Sequence, residues 1–431
     1  MDEALQKAVM GKVTRRLLPF LFLLYIVNIL DRVNVGFAGL RMLKDLGMGE
    51  DEFGLGAGIF YLGYLVFEVP SNLILSRTGA RRWIARIMVS WGLVTCATML
   101  VRGPWTFYLL RILLGIAEAG FFPGIILYLT YWFPARERAR TVAWFMAASP
   151  IAGIVGNPLS GAIMEYLNGL GGLRGWQWLF LLEGAPAVIL GFVALYYLTD
   201  RPEEAGWLTP EERSWLAGRM AREEKQRVQH HGMTSLRALA DRRIWLLILL
   251  YFMIAAGANA FGFYLPKLIE SRFPNRNAFQ IGLLAAVPNV IAVVAMLLNG
   301  AHSDRTAERR WHVALPAFLS ATGWALSASF GSPALTLVAL ALVQMGVMSM
   351  IPPFWSLPTV FLSGAAAAGG IALINSVGNL GGLAGPYILG RLAATFGDFT
   401  AGLTVMTCLL CAGGVLALCL RHGRAVEGTP T

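Results

Sequence analysis

Twelve apolar runs, each long enough to cross a lipid bilayer as a helix, divide this chain. A hydrocarbon core about 30 Å thick requires about 20 apolar residues per helix. Because backbone groups in lipid must hydrogen-bond within the protein, the sequence predicts an all-α membrane protein. The runs cover residues 17–38, 53–75, 83–101, 105–132, 140–166, 177–198, 243–268, 279–300, 312–330, 334–356, 365–394 and 399–420.

The composition indicates that lipid is the main solvent of the chain. Hydrophobic residues make up 56% of the sequence and charged residues only 14%, whereas soluble domains carry about a quarter charged residues. All four cysteines lie inside apolar runs, and none has the spacing of a zinc site. We therefore expect neither a bound metal nor a cofactor. No nucleophile–base set or phosphate-binding loop stands out, so we do not expect an enzyme.

The net charge of +10 is concentrated in the loops between apolar runs. A nucleic-acid-binding domain would gather its basic residues on one soluble face, so no nucleic-acid partner is expected. If the spans alternate, the basic loops share one side, here called the basic face, and the acidic residues lie on the opposite side, the acidic face. The positive-inside rule places the basic face and both termini in the cytoplasm of a multi-pass inner-membrane protein. The basic face is defined by Lys7, Lys12, Arg15, Arg16, Arg77, Arg81, Arg82, Arg136, Arg138, Arg140, Arg305, Arg309, Arg310, Arg421 and Arg424, and the acidic face by Asp45, Glu50, Asp51 and Glu52.

The longest hydrophilic stretch, residues 199–242, separates two sets of six runs. Thr209 followed by Pro210 is a typical helix start, with a capping side chain and proline at the first helical position. We interpret the stretch as a solvated connector with a short helix, rather than as a regulatory site. The sequence therefore predicts an N-terminal half over 1–198 and a C-terminal half over 243–431.

The two halves repeat one another. Residues 72–82 after the second run align without gaps with residues 300–310 after the eighth run, at a shift of 228. At nearly the same shift, the Gly-x-x-Gly of 153–156 meets that of 382–385. A repeat of this kind is typical of transporters that bind substrate between two helical bundles near the middle of the membrane.

The repeated loops resemble the G-x-L-x-D-R-x-G-R-R signature of the major facilitator superfamily. The resemblance implies a major facilitator fold, with twelve transmembrane helices in two pseudo-symmetric six-helix bundles. In that family the motif latches the halves in one conformation. The first copy departs from the signature, because Asn72 replaces its first Gly and Ser76 replaces its Asp. The matching positions are Arg77, Gly79 and Arg81 in the first copy, and Gly300, Asp304 and Arg305 in the second.

Within that superfamily, the chain most resembles the anion:cation symporter family. The motifs that carry the resemblance are Asp31-Arg32-Val-Asn34, Glu68-Val-Pro70-Ser-Asn72, the stretch Arg111 to Gly124, Trp132-Phe-Pro134 and Asn375-Ser-Val-Gly-Asn379. The resemblance implies proton symport of a small organic anion. Family members carry hydroxy-acids such as tartrate, sugar acids, and aromatic acids of the phthalate or hydroxyphenylacetate type, and the side chains leave that choice open.

Ionisable residues within a span cost at least about 2.5–3.5 kcal/mol at its centre, and therefore face a cavity or a partner. Asp31 and Arg32 are such residues in the first span. One interpretation is a structural Asp–Arg pair that holds helices together. The other, which the resemblance favours, makes Asp31 a proton-coupling carboxylate beside the substrate-binding cation Arg32.

Arg111 and Glu118 share one face of the fourth span, with Gly115 between them. Seven residues of helix rise about 10.5 Å, so the two side chains lie at different depths. We interpret Arg111 as a clamp for a substrate carboxylate, since a guanidinium binds carboxylates bidentately. Glu118 is then a second proton-coupling acid. The alternative is that either residue faces the headgroups.

The remaining candidate substrate-binding residues are neutral. Tyr64 in the second span offers a hydroxyl group. In the C-terminal half the candidates are Trp355, Ser356, Asn375 and Asn379. Nearly all buried charge is expected on spans one, two and four, so we expect charge recognition in the N-terminal half and neutral hydrogen bonding in the C-terminal half.

The sequence thus predicts a monomeric secondary transporter that imports an organic carboxylate together with protons. Two alternatives are weighed against it. A second transport interpretation, export or exchange of an amphipathic drug, would fit a wide apolar cavity with one acid and no paired arginines, which Arg111 argues against. A non-transporting membrane sensor would have lost its coupling acids, whereas Asp31 and Glu118 are present.

Overall fold

The computed structural model describes residues 3–134, 137, 141, 145, 148–229, 242–306, 308–329, 331–361 and 364–420. Every regular element in these ranges is helical. The α-helices are α1 Glu3–Leu46, α2 Glu50–Thr78, α3 Ala80–Ala97, α4 Pro104–Glu118, α5 Phe121–Trp132, α6 Ala148–Tyr166, α7 Gly175–Tyr197, α8 Pro210–Gln229, α9 Arg242–Arg272, α10 Ala278–Thr306, α11 Arg310–Ser329, α12 Pro333–Phe361, α13 Gly364–Gly378, α14 Gly381–Phe396 and α15 Thr400–Cys419.

The helices account for the twelve predicted spans. Within the described residues, nine helical segments are long and apolar enough to cross a membrane, with α4 and α5 counted as one segment. The other three spans correspond to α6, to α11 and to α13 with α14. The predicted fold class is confirmed. Of the basic-face residues, Arg136, Arg138, Arg140, Arg421 and Arg424 lie outside the described residues.

Two of the predicted spans are broken helices. The predicted run 105–132 divides at Gly120, whose φ of +86° is a left-handed conformation suited to glycine. A side chain at Gly120 would also collide with the Ser71 hydroxyl group. The run 365–394 divides after Gly378, where a turn closes through a hydrogen bond from the Gly382 N–H to the Asn379 carbonyl, 2.8 Å long.

The two halves are joined at the acidic face. Glycines allow α2 to approach α14 closely there, since a side chain at Gly54 would lie 2.5 Å from the Pro386 carbonyl oxygen. Lys267 and Arg391 of the C-terminal half pair there with acids of the N-terminal half. The ion pairs that join the halves there are Arg41–Glu270 at 2.6 Å, Lys267–Glu50 at 2.5 Å and Arg391–Asp51 at 3.1 Å.

The predicted connector helix is present as α8. The Thr209 hydroxyl accepts a hydrogen bond of 3.3 Å from the Glu212 N–H, and Glu212 accepts one of 3.0 Å from the Thr209 N–H. This reciprocal pair is a capping box. The Lys12 ammonium donates to Glu212 at 2.6 Å and, together with the Thr209 N–H, holds the pKa of that carboxyl below its usual range. The start of α8 is thereby fixed to α1.

The two loop motifs have different partners. In the first copy, Gly79 has a φ of +90°, and the Arg81 N–H donates to Asp200 at 2.7 Å. Asp200 therefore supplies a carboxylate beside the loop, where Ser76 replaces the acid of the signature. In the second copy, Asp304 pairs with Arg309 at 2.6 Å. The other motif residues, Arg77, Gly300 and Arg305, lie at the ends of α2 and α10 near the basic face.

Candidate functional site

Arg32 on α1 and Glu118 on α4 form a buried ion pair in the N-terminal half. The Arg32 Nε and Nη2 atoms lie 2.6 and 2.5 Å from Glu118 Oε1. The Glu118 side chain is 1% exposed, whereas 24% of the Arg32 side chain is exposed. Arg32 is therefore the more exposed partner of the pair, and Glu118 is enclosed by the protein.

One of the two carboxylate oxygens of Glu118 accepts no hydrogen bond from the described residues. Its Oε1 atom also accepts a hydrogen bond of 2.7 Å from Asn28 Nδ2. Its Oε2 atom is buried and has no hydrogen-bond partner among the described residues. A buried carboxylate oxygen without a donor is costly, and a proton on that atom would remove the charge that causes the cost. Glu118 is therefore held through one carboxylate oxygen, Oε1.

Asp31 does not pair with its neighbour Arg32. Its carboxylate accepts hydrogen bonds from Asn34 Nδ2 at 3.0 Å, from the Thr95 hydroxyl at 2.7 Å and from the Trp91 indole N–H. Consecutive helical residues point in directions about 100° apart, so Asp31 faces α3 while Arg32 faces α4. The structural Asp31–Arg32 pair weighed from the sequence is therefore absent, and each acid has its own set of partners.

Arg111 is packed against the backbone of α2. Its guanidinium donates to the Gly56 carbonyl at 3.3 Å and to the Ala57 carbonyl at 3.1 Å, and the residue is 2% exposed. Gly115 makes this approach possible, since a side chain there would collide with the Phe60 carbonyl oxygen. In this conformation Arg111 holds α2 against α4, and Arg32 is the cation with the more exposed side chain.

Aromatic rings surround Arg32. Its guanidinium carbon lies 5.4 Å from the ring centroids of both Phe60 and Tyr64, a cation–π distance. The neighbouring Tyr61 hydroxyl donates to Asn259 Oδ1 on α9 and so links the two halves. Tyr64, predicted to bind substrate, therefore lies beside the candidate cation.

Glu68 joins the halves through neutral partners. Its two carboxylate oxygens accept hydrogen bonds from Asn375 Nδ2 at 2.8 Å and from the Ser376 hydroxyl at 2.9 Å, both on α13. Asn375, predicted to bind substrate, donates to this acid in the present conformation. Asn379 lies in the turn between α13 and α14, where its N–H donates to the Asn375 carbonyl at 3.0 Å.

Aromatic residues of the C-terminal half form a second group. The Trp355 ring lies 4.9 Å from Tyr251 and 5.2 Å from Phe354, centroid to centroid. Trp355 is half-buried, and the Ser356 hydroxyl donates to the Pro352 carbonyl of its own helix at 3.2 Å. A group of packed aromatic rings therefore lies in the C-terminal half.

The sequence missed one buried acid. Glu183 on α7 is 4% exposed and accepts a hydrogen bond of 2.7 Å from the Ser160 hydroxyl. The expectation that nearly all buried charge lies on spans one, two and four is wrong in this respect. The sequence signal was a single Glu inside the otherwise apolar run 177–198. This signal is informative because an acid within a membrane span is energetically costly.

The helices and the site define a polytopic membrane protein of the secondary-transporter class. Twelve spans, an internal repeat and a buried ion pair next to groups that link the halves are the features of this class. Among the described residues, no group of three His, Cys, Asp or Glu side chains is placed to hold a metal ion.

The family model described as Major Facilitator Superfamily matches residues 21–386, and the chain belongs to this superfamily. A "Putative tartrate transporter" of Agrobacterium vitis is 51% identical over 98% of this chain and 94% of its own length. A "Quinolone resistance transporter" of Acinetobacter baumannii is 41% identical, with 95% and 94% covered. The solved inward-facing, occupied structure of a bacterial homologue of the human lysosomal transporter Spinster has a TM-score of 0.75 at 14% identity, covers 93% of this chain and 95% of that one, and shares the fold.

Proposed function

We propose that this protein imports a small organic carboxylate, such as tartrate or another hydroxy-acid or a sugar acid, by proton symport with alternating access. The observation that carries the proposal is the Arg32–Glu118 pair. It places a partly exposed cation against a buried acid that has one unpartnered oxygen. The proposal includes a location in the inner membrane, with the basic face in the cytoplasm, and a monomeric protein.

Substrate binding to Arg32 and protonation of Glu118 are coupled at this pair. While Glu118 is ionised, it neutralises Arg32 and occupies two of its N–H donors. When Glu118 takes a proton, the guanidinium loses its counter-ion and can bind a substrate carboxylate in a bidentate manner. Each event then favours the other, which is the reciprocal coupling that symport requires.

Asp31 supplies the second coupling group in this proposal. Its three donors come from α1 and α3, and protonation would remove an acceptor from at least one of them. The packing of α1 on α3 therefore depends on the charge of Asp31. Two acids would allow more than one proton per cycle, so that import of a monoanion moves net positive charge inward.

The hydroxyl groups of a hydroxy-acid need neutral partners, which the groups around the pair provide. Tyr64 lies beside Arg32, and Asn375 and Ser376 lie on the facing helix of the other half. Relatives named for tartrate transport at 51% and 50% identity support this substrate class.

An aromatic acid is the second candidate substrate, and aromatic side chains in both halves favour it. Trp355 packs edge-on against Tyr251, with the ring planes 62° apart, and Tyr25 stacks on Phe145 with centroids 4.4 Å apart. A planar substrate ring could pack against one of these aromatic side chains while its carboxylate binds Arg32. The relative named for quinolone resistance supports this alternative less directly, at 41% identity.

Uptake into liposomes containing the purified protein tests both candidates. We expect radiolabelled L-tartrate to accumulate only when the outside is more acidic than the inside, and unlabelled tartrate to compete more strongly than phthalate. Stronger competition by phthalate would select the aromatic candidate. Equal uptake with and without the pH gradient would contradict proton symport, and protein-free liposomes are the control.

A further inference from the structure

A second carboxyl group lies deep in the N-terminal half, away from Arg32. Glu183 on α7 is 4% exposed and receives one hydrogen bond, from Ser160 on α6. Its Oε2 atom is buried and has no hydrogen-bond partner in the part of the chain that the structure describes. Glu183 is therefore a buried acid whose second oxygen is unsatisfied.

The neighbours of Glu183 on α1 and α3 include an acid and neutral groups. From α1 it faces Asp31 and Asn34, both of which lie within electrostatic or hydrogen-bonding reach. From α3, Cys96 approaches the same turn, since its sulfur lies 3.7 Å from the Leu181 carbonyl oxygen. Within the described residues, Glu183 forms no ion pair with Lys, Arg or His.

The donor sets of the two acids differ. Asp31 accepts three hydrogen bonds, which suits an ionised carboxylate. Glu183 accepts one, and an ionised carboxylate with an unpaired oxygen and no cation is strongly disfavoured in a buried site. Two carboxylates near each other also resist simultaneous ionisation.

Asn34 connects the two acids. Its Nδ2 atom donates to Asp31 Oδ1 at 3.0 Å, and its own Oδ1 atom is buried without a donor among the described residues. A protonated Glu183 has one O–H group to donate. That hydrogen would satisfy the Asn34 oxygen and would remove the charge on the unpartnered carboxylate oxygen at the same time.

We propose that Glu183 is a proton-holding residue of the N-terminal half, neutral in this conformation and paired through Asn34 with an ionised Asp31. One proton is then shared by the two carboxyl groups, and uptake of a second proton neutralises Asp31. Only this last step rests on the proposed function, because it uses Asp31 as a coupling acid. The site is separate from the Arg32–Glu118 pair.

Infrared difference spectroscopy of the purified protein tests the protonation state without any substrate. At neutral pH, we expect a C=O stretching band of a buried protonated carboxyl group that Glu183→Gln abolishes. Glu204→Gln, at an exposed position of the connector, is the matched control and should keep the band. Asp31→Asn should move the pH at which the band disappears, because it removes the coupled charge.

A band that persists in Glu183→Gln, or that is absent from the wild-type protein, would overturn the proposal. The latter result is expected if an ionised Glu183 is held by water. Should Glu183→Gln fail to fold, Ser160→Ala provides the same information, since loss of its hydrogen bond must shift the frequency of a Glu183 band. An unshifted band in that variant counts against the assignment.

Transport distinguishes this proposal from the proposed function. In liposomes, Glu183→Gln is expected to shift the pH dependence of L-tartrate accumulation while tartrate exchange at equal pH is kept. If the wild-type protein is proton-driven and Glu183→Gln has the wild-type pH profile, the coupling role of Glu183 is wrong. If the wild-type protein shows no proton-driven accumulation although the band behaves as expected, the transport proposal fails and the protonation state of Glu183 stands.

Discussion

The interiors of the two halves use different polar groups in similar helical frameworks. The N-terminal half buries Asp31, Glu118 and Glu183 together with Arg111. In the C-terminal half, Gln344 donates to Asn289 at 2.9 Å. Amide groups do not titrate, so the second pair holds helices together without responding to pH. The comparison suggests that the repeat preserved the framework, while the capacity to change charge is concentrated in one half.

The largest effect is expected at the acid that neutralises Arg32. Glu118→Gln keeps the size of the side chain but cannot change charge, so proton-driven accumulation should fall to the level seen without a pH gradient. Exchange of substrate at equal pH should persist, because Arg32 is then permanently available. Glu204→Gln, at an exposed position of the connector, is the control. Normal accumulation by Glu118→Gln would remove Glu118 from the coupling mechanism.

The next-largest effects distinguish the role of Arg32 from that of Arg111. A hydrogen bond to a charged group contributes about 1.5–3 kcal/mol, so Arg32→Ala should weaken anion binding about 10- to 100-fold. Arg111→Ala should instead lower the thermal unfolding temperature, since it leaves the carbonyls of Gly56 and Ala57 without these donors. Binding is measured by calorimetry and unfolding by a fluorescence scan. The reverse assignment of the two effects would restore Arg111 as the clamp.

A related prediction concerns pH. In the proposed mechanism, protonation of Glu118 frees Arg32, so substrate affinity should rise as pH falls and decrease as pH rises. The variant Glu118→Gln should bind with a weaker dependence on pH. Calorimetric titrations with L-tartrate at several pH values measure the slope for both proteins. Tartrate itself must be fully ionised over the range used, and an unchanged slope in the variant would place the titrating group elsewhere.

The framework could be predicted from the sequence because span length and loop charge are local properties. The twelve spans follow from these properties, and the helix start at Thr209 follows from its capping sequence. Both predictions are confirmed. The partners of the site residues could not be predicted, because they depend on how distant helices rotate against each other. Asp31 and Trp91 are 60 positions apart, and nothing local indicates that they meet. The same holds for Arg111 and the α2 carbonyls.

A smaller effect is expected at Glu68, where polar groups of the two halves meet. Glu68 of the N-terminal half binds Asn375 and Ser376 of the C-terminal half. Because Leu neither donates nor accepts hydrogen bonds, Glu68→Leu should lose both bonds and change the rate of transport a few-fold. Affinity should change little, since Arg32 is intact. A rate and affinity equal to wild type would show that this contact does not control separation of the halves.

The smallest effect is expected inside the C-terminal half. Gln344→Leu removes the donor to Asn289 and leaves a buried carbonyl oxygen unpaired, which costs about 1–3 kcal/mol of folding free energy. The unfolding temperature should fall, while the pH dependence of uptake should stay as in the wild type, because no titrating group is touched. Asn289→Leu combined with Gln344→Leu replaces both partners and should recover part of the loss. A changed pH profile in either variant would mean that proton coupling extends into the C-terminal half, and the distinction between the two interiors would then be wrong.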